Sequence, residues 1–140
     1  IPADIQKAMG YSSVTGKLDP NTLPKVQLWG TGSPRREFLH VDDMASASVH
    51  IMNLSQANFA GEQPSFLNVG TGQDITIEET ARIIAKLVGF EGKTVFNPAQ
   101  PDGTPRKLMD TSRINSLGWK PSMSMPEGLK DAYRWYKKRG

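Results

Sequence analysis

The chain has 140 residues, 37% of them hydrophobic, with 13 Gly, 10 Pro and a net charge of +3. That size reads as one domain with a real core and much loop. The absence of cysteine excludes disulfides, zinc-thiolate sites and thiol catalysis. No apolar run approaches the roughly 20 residues of a membrane span. No Lys/Arg block of the kind that tracks nucleic acid is present either.

The chain opens at Ile1-Pro2 without Met and enters helix-like sequence at once, which reads as a piece of a larger protein. No signal peptide is visible, and a cytoplasmic location is expected. Residues 2–9 predict a short helix with Pro2 in its first turn. Residues 10–25 read as loop, punctuated by Gly10, Gly16, Pro20 and Pro24. Val26 to Trp29 predict a strand, Gly30 to Pro34 a turn, and Arg36 to Leu39 an extended segment. Asp42 or Asp43 is placed to cap a helix running to about Leu54. Met44, Ala45, Ala47, Val49, Ile51, Met52 and Leu54 cover most of its circumference, the pattern of a helix buried on more than one side.

Ser65 to Val69 read as a short strand ending in Gly70-Thr71-Gly72. Thr76 and Glu79 form a capping-box pair for a helix to about Val88, with Ile77, Ala81, Ile84 and Val88 as its stripe. Thr94 to Phe96 predict a strand, and Lys107 to Met109 another after a Pro-framed loop. Thr111 is placed to cap a short helix ending at Gly118. Ser124 with Glu127 opens the last helix, where Leu129, Ala132, Tyr133 and Tyr136 share a face. The order is mixed α/β with short strands.

Gly30-Thr31-Gly32 and Gly70-Thr71-Gly72 each follow a strand but lack the third glycine of a dinucleotide fingerprint, so they read as turns. Tyr133 and Lys137 stand one helical turn apart, a spacing some reductases use, yet their place near the chain end reads as packing. His40 and His50 have no third ligand at metal spacing, so no metal site is expected. His40 reads as fixing local structure before the helix. Arg35 and Arg36 must point to opposite sides of an extended chain, one outward and one toward a site. Trp29, on the same loop system, is either a ligand-stacking ring or a cation–π partner. In the loop from Gln100 to Lys107, a carboxylate suits ribose hydroxyls or the N–H edge of guanine, and the cations suit phosphate. A plain surface turn explains that loop equally well.

Four segments are more specific together than apart. They are Trp29-Gly30-x-Gly32-x-Pro34 with Arg36-Glu37-Phe38-Leu39-His40-Val41-Asp42-Asp43, then Asn68-Val69-Gly70-Thr71-Gly72, then Pro101-Asp102-Gly103-Thr104-Pro105-Arg106-Lys107, then Leu117-Gly118-Trp119. Together they resemble the C-terminal part of GDP-keto-sugar epimerase-reductases in the extended short-chain dehydrogenase/reductase family. The resemblance implies that residues 1–140 form a small mixed α/β substrate-binding domain. It also implies that about 41–72 pack on an N-terminal NADP-binding Rossmann domain outside this chain.

The whole protein would convert GDP-4-keto-6-deoxy-mannose by 3,5-epimerisation and 4-reduction. Its catalytic groups and most of its NADP site would lie in that other domain, leaving no catalytic residue here and the chain inactive alone. By matching position, Lys7, Trp29, Arg36, Lys93 and Asp102 would contact the substrate. Gln100 stands where relatives often carry a cation. The implied partners are a GDP-sugar, the Rossmann domain and a second subunit of a homodimer, with no nucleic acid and no membrane. Two other readings stay open: a part of another nucleotide-sugar epimerase or dehydratase, and a non-catalytic GDP-sugar-binding module.

Overall fold

A computed structural model describes residues 23–60 and 65–139. The helix expected over residues 2–9, and Lys7 with it, lie outside the described residues. The elements run β1 (Lys25–Trp29), β2 (Arg35–Arg36), α1 (Val41–Met52), a 3-10 turn (Gln56–Phe59), β3 (Ile75–Thr76) and α2 (Ile77–Val88). They continue with β4 (Lys93–Asn97), β5 (Arg106–Lys107), α3 (Ser112–Ser116) and α4 (Met125–Arg139). The described chain divides into two compact units. The first takes residues 23–34 and 76–105, and the second takes 35–60, 65–75 and 106–139.

In the first unit β1 and β4 pair in parallel, from Lys25 opposite Lys93 to Trp29 opposite Asn97. Parallel pairing needs a long crossover, and the chain between the two strands includes α2. The capping box at the start of α2 is present as expected. Thr76 Oγ1 accepts from the Glu79 N–H at 3.0 Å, and Glu79 Oε2 accepts from the Thr76 N–H at 3.0 Å. Gly89 ends the helix at φ 70, in the left-handed region that glycine enters without a Cβ clash. The expected stripe is rotated. Ile84 and Val88 are exposed, whereas Thr80 is buried and Ile83 and Leu87 are half-buried.

The second unit carries three short strands in the order β3-β2-β5. β2 and β5 are parallel, with Arg35 opposite Arg106 and Arg36 opposite Lys107. The expected strand over Lys107–Met109 therefore starts one residue earlier and stops sooner. The Met109 N–H leaves the ladder and donates to Glu37 Oε2 at 3.1 Å. The core joins Ala47 of α1, Ile114 of α3 and Trp119, with Leu39, Ile51 and Val69 packed against them. The Trp119 indole N–H is satisfied by Ser46 Oγ at 3.0 Å.

Three capping and strand expectations are corrected. The N-cap of α1 is His40, whose Nδ1 accepts from the Asp42 N–H at 3.3 Å. Asp43 is buried and faces away from that role: its carboxylate accepts from the Ser122 N–H at 3.0 Å, the Ser122 hydroxyl at 2.7 Å and the Met123 N–H at 3.1 Å. Residues 65–69 form no strand. Arg113 donates to the Phe66 carbonyl at 2.9 Å, and the Asn68 amide donates to the Asp110 carbonyl at 3.2 Å, so side chains hold the segment where a ladder was expected. At α3 the Thr111 hydroxyl makes no cap; Asp110 Oδ1 accepts the Ser112 N–H at 2.9 Å instead.

Ser124 and Glu127 do open α4, with Glu127 Oε2 accepting from the Ser124 N–H at 3.1 Å and hydroxyl at 2.5 Å. The buried position of that helix is Gly128, where a Cβ would stand 3.1 Å from His40 Cδ2. Tyr136 is exposed rather than packed on the expected face. α1 is covered on one side only among the described residues. Val41 is 72% and Met52 84% exposed, and Met44 and Val49 are exposed with them. No described helix is long and apolar enough to cross a membrane.

Candidate functional site

β2 and β5 put four cations on two adjacent strands, and strand alternation sorts them. Arg35 and Arg106 converge on Asp74. Arg35 Nε donates to Asp74 Oδ1 at 2.8 Å and its Nη2 to the Asp74 carbonyl at 2.9 Å, while Arg106 Nε donates to Oδ2. The Asp74 side chain is only 6% exposed. Arg106 first, and then Arg35, hold its carboxyl below the usual range.

The alternate residues, Arg36 and Lys107, line a pocket of about 420 Å³ together with Glu37, Leu108 and Met109. Arg36 Nη1 donates to the Arg35 carbonyl at 2.7 Å, which steadies the guanidinium. Glu37 makes its hydrogen bonds to other groups. Its Oε1 accepts from the Gly72 N–H at 2.6 Å and the Thr71 hydroxyl at 3.2 Å, and its Oε2 takes the Met109 N–H. The pocket therefore offers one planar fork and one compact ammonium to an anion, the combination that grips phosphate oxygens. It can hold and orient charge.

In the first unit Trp29 ends β1 with 70% of its surface exposed. The turn after it is fixed at several points. The Gly30 N–H donates to the Asn97 carbonyl at 3.0 Å, and Gly30 and Gly32 sit at φ 74 and φ 81. Asp102 accepts from the Thr31 N–H at 2.6 Å through Oδ1 and from the Thr31 hydroxyl at 2.8 Å through Oδ2. The Thr31 backbone and side-chain bonds hold the Asp102 carboxyl below its ordinary range. A Cβ on Gly30 would stand 2.0 Å from Asp102 Oδ1, so the carboxylate approaches only because that residue is glycine. Lys93 lies at the other end of the ladder from Trp29, opposite Lys25.

Of the expected contact residues, Trp29, Lys93 and Asp102 thus stand in the first unit and Arg36 in the second. The structure adds Lys107 beside Arg36. Sequence reading had noted it only as a loop cation, because its partnership depends on the β2–β5 register.

The two glycine turns do not fit the pyrophosphate of NADP. A phosphate-gripping turn needs free backbone N–H groups. Here the Thr31 N–H is taken by Asp102 and the Gly72 N–H by Glu37. A Cβ on Gly70 would stand 2.6 Å from Glu37 Oε1, so that glycine serves the carboxylate. The Tyr133–Lys137 spacing is a surface cation–π pair, with the ammonium 4.7 Å from the ring centre. Among the described residues, no group of three His, Cys, Asp or Glu could hold a metal ion.

Residues 6–70 match the NAD dependent epimerase/dehydratase family. The fold matches a GDP-6-OMe-4-keto-L-xylo-heptose reductase from Campylobacter jejuni at a TM-score of 0.76 and 41% identity, over 83% of this chain and 34% of that one. It also matches a GDP-mannoheptose C4 reductase from the same organism with NADP bound, at a TM-score of 0.72 and 40% identity, over 81% of this chain and 35% of that one. The chain is a small mixed α/β structure similar to about a third of the extended short-chain dehydrogenase/reductase epimerase-reductases. Within that class it is a homologue of GDP-L-fucose synthase. The Escherichia coli K12 enzyme of that name is 52% identical over 116 residues, 81% of this chain and 36% of the relative. The chain spans roughly a third of the length of the curated relatives it matches.

Proposed function

We propose that this chain is the C-terminal, GDP-sugar-binding portion of an NADP-dependent GDP-L-fucose synthase. The observation that carries the reading is the Arg36–Lys107 pair, side by side on one pocket whose carboxylate, Glu37, is engaged by Thr71, Gly72 and Met109. Arg36 forks onto one phosphate of the diphosphate and Lys107 neutralises the other. Trp29 stacks on the guanine. Asp102 holds the turn that carries Trp29 and offers its remaining lone pairs to the nucleoside. Lys93 and Lys7 complete the set of substrate-contacting residues that the family resemblance implies.

The reacting groups and NADP belong to an N-terminal domain, which docks on about 41–72. The uncovered apolar face of α1, with Val41, Met44, Val49 and Met52, suits such docking. In that domain the reduced cofactor, NADPH, would supply the hydride that reduces C4 of the keto sugar. The whole enzyme is a cytoplasmic homodimer, and this chain alone is inactive.

Calorimetric titration of the full chain with GDP and with UDP tests the reading. GDP is expected to bind more tightly, and more weakly as salt rises. Equal affinity for the two nucleotides points to another nucleotide-sugar epimerase. Binding of neither overturns the reading. Turnover of GDP-4-keto-6-deoxy-mannose with NADPH by this chain overturns its assignment as inactive alone.

A further inference from the structure

β2 and β5 are two residues long, and each position in the pair sets one cation against another. Strands are roughly 4.8 Å apart, so these like charges lie close and oppose the pairing. So short a ladder specifies register weakly, and a slip by one residue turns every side chain to the opposite face. Something other than backbone bonds must hold this register.

Asp74 meets that need. Its nearly buried carboxylate gives one oxygen to Arg35 of β2 and the other to Arg106 of β5, and its carbonyl takes a second bond from Arg35. A slip of either strand would carry one of those arginines away and leave buried charge without its partner. The register that satisfies Asp74 is the one that sends Arg36 and Lys107 together to the pocket.

We propose that Asp74 is a positioning residue for the anion pocket: by tying Arg35 to Arg106 it sets Arg36 and Lys107 abreast to receive a diphosphate. This rests on the reading of that pocket as the diphosphate site. A simple electrostatic view makes the opposite forecast, because deleting a carboxylate close to an anion site should strengthen anion binding.

The test compares the wild-type full chain with Asp74→Asn by calorimetry at fixed salt. The probes are GDP, inorganic pyrophosphate and guanosine. Affinity for GDP and pyrophosphate is expected to fall on the order of tenfold, because one misplaced cation forfeits a charge-assisted contact. Guanosine affinity should be unchanged, which a general loss of structure would not give. Asp74→Glu keeps both oxygens and should restore much of the loss. Asp74→Ser, which also removes the carboxylate, carries the comparison if the amide variant does not fold. Unchanged or tighter pyrophosphate binding by a folded variant that lacks the carboxylate, Asp74→Asn or Asp74→Ser, overturns the proposal and leaves the diphosphate reading standing. Failure of the wild-type chain to bind GDP or pyrophosphate overturns both.

Discussion

Asp102 and Thr31, 71 residues apart in sequence, are joined twice, through the Thr31 N–H at 2.6 Å and its hydroxyl at 2.8 Å. The two bonds fasten the loop after β4 to the turn after β1. Trp29 stands at the root of that turn. Asp102→Ala should release the turn and broaden the Trp29 indole N–H signal in the NMR spectrum. Thr31→Val keeps the backbone bond and should disturb the signal less. An unchanged signal in Asp102→Ala would show that the ladder alone holds Trp29.

Asp43 ties the first turn of α1 to Ser122 and Met123 with three hydrogen bonds. Removing it leaves those donors without their acceptor. Asp43→Ala should cost about 3 kcal/mol, and Asp43→Asn roughly half of that, read from urea unfolding midpoints. Equal costs for the two variants would mean that a neutral acceptor at residue 43 contributes nothing and the charge carries the whole effect.

Acid should destabilise the chain through the same contacts. Burial alone would raise the Asp43 carboxyl, but the donors from Ser122 and Met123, with His40 nearby, hold it below its ordinary value. Asp74, Asp102, Asp110 and Glu127 are lowered as well. A lowered folded-state pKa stabilises fully above the unfolded value, near pH 4, and that stability is lost as pH falls through the folded value. The urea midpoint should therefore be flat above about pH 5 and drop below pH 4. Asp43→Asn should show a shallower drop. A midpoint that rises toward pH 3 would contradict this assignment of charges.

Gly70 and Gly89 separate two uses of glycine. A Cβ on Gly89 meets nothing within 4 Å, so Gly89→Ala should cost only its left-handed backbone, about 1 kcal/mol. A Cβ on Gly70 drives into Glu37, which holds Gly72, Thr71 and Met109. Gly70→Ala should cost about 2–3 kcal/mol by thermal unfolding. The reverse order would mean that Glu37 swings aside freely.

The two faces of α1 should respond oppositely to substitution. Ile114→Ala empties the core against Ala47 and should cost about 3 kcal/mol. Met52→Ser on the outer face should change stability by less than about 0.5 kcal/mol in this chain. A large loss in Met52→Ser would reveal that the outer face is already covered, for example by a second copy. The concentration dependence of the melting point would then show it.

What could be read from sequence follows the range of the interactions. The Thr76–Glu79 and Ser124–Glu127 starts were legible because each cap is complete within four residues. The α1 cap was misread because Asp43 has a distant competitor, Ser122, and only the fold shows that His40 is left to do the work. Residues 65–69 have strand composition, yet composition does not supply a neighbouring strand. At the site, alternation sent Arg35 and Arg36 to different sides, which the structure bears out. Lys107 is legible as a loop cation suited to phosphate, but its pairing with Arg36, and the role of Asp74, follow from a register that no local pattern reveals.

The interleaving of the two units has a consequence for dissecting the protein. The chain passes between them at three joints, after Pro34, after Ile75 and after Pro105. No single cut liberates either unit as one covalent piece, and a truncation that runs past the first joint it meets removes part of both. To obtain one alone, its two stretches must be spliced with a new connector. A protease nick at any one joint leaves the halves tethered by the remaining two. Deletion series along this sequence therefore report on both units at once, and circular permutation is the better instrument for telling them apart.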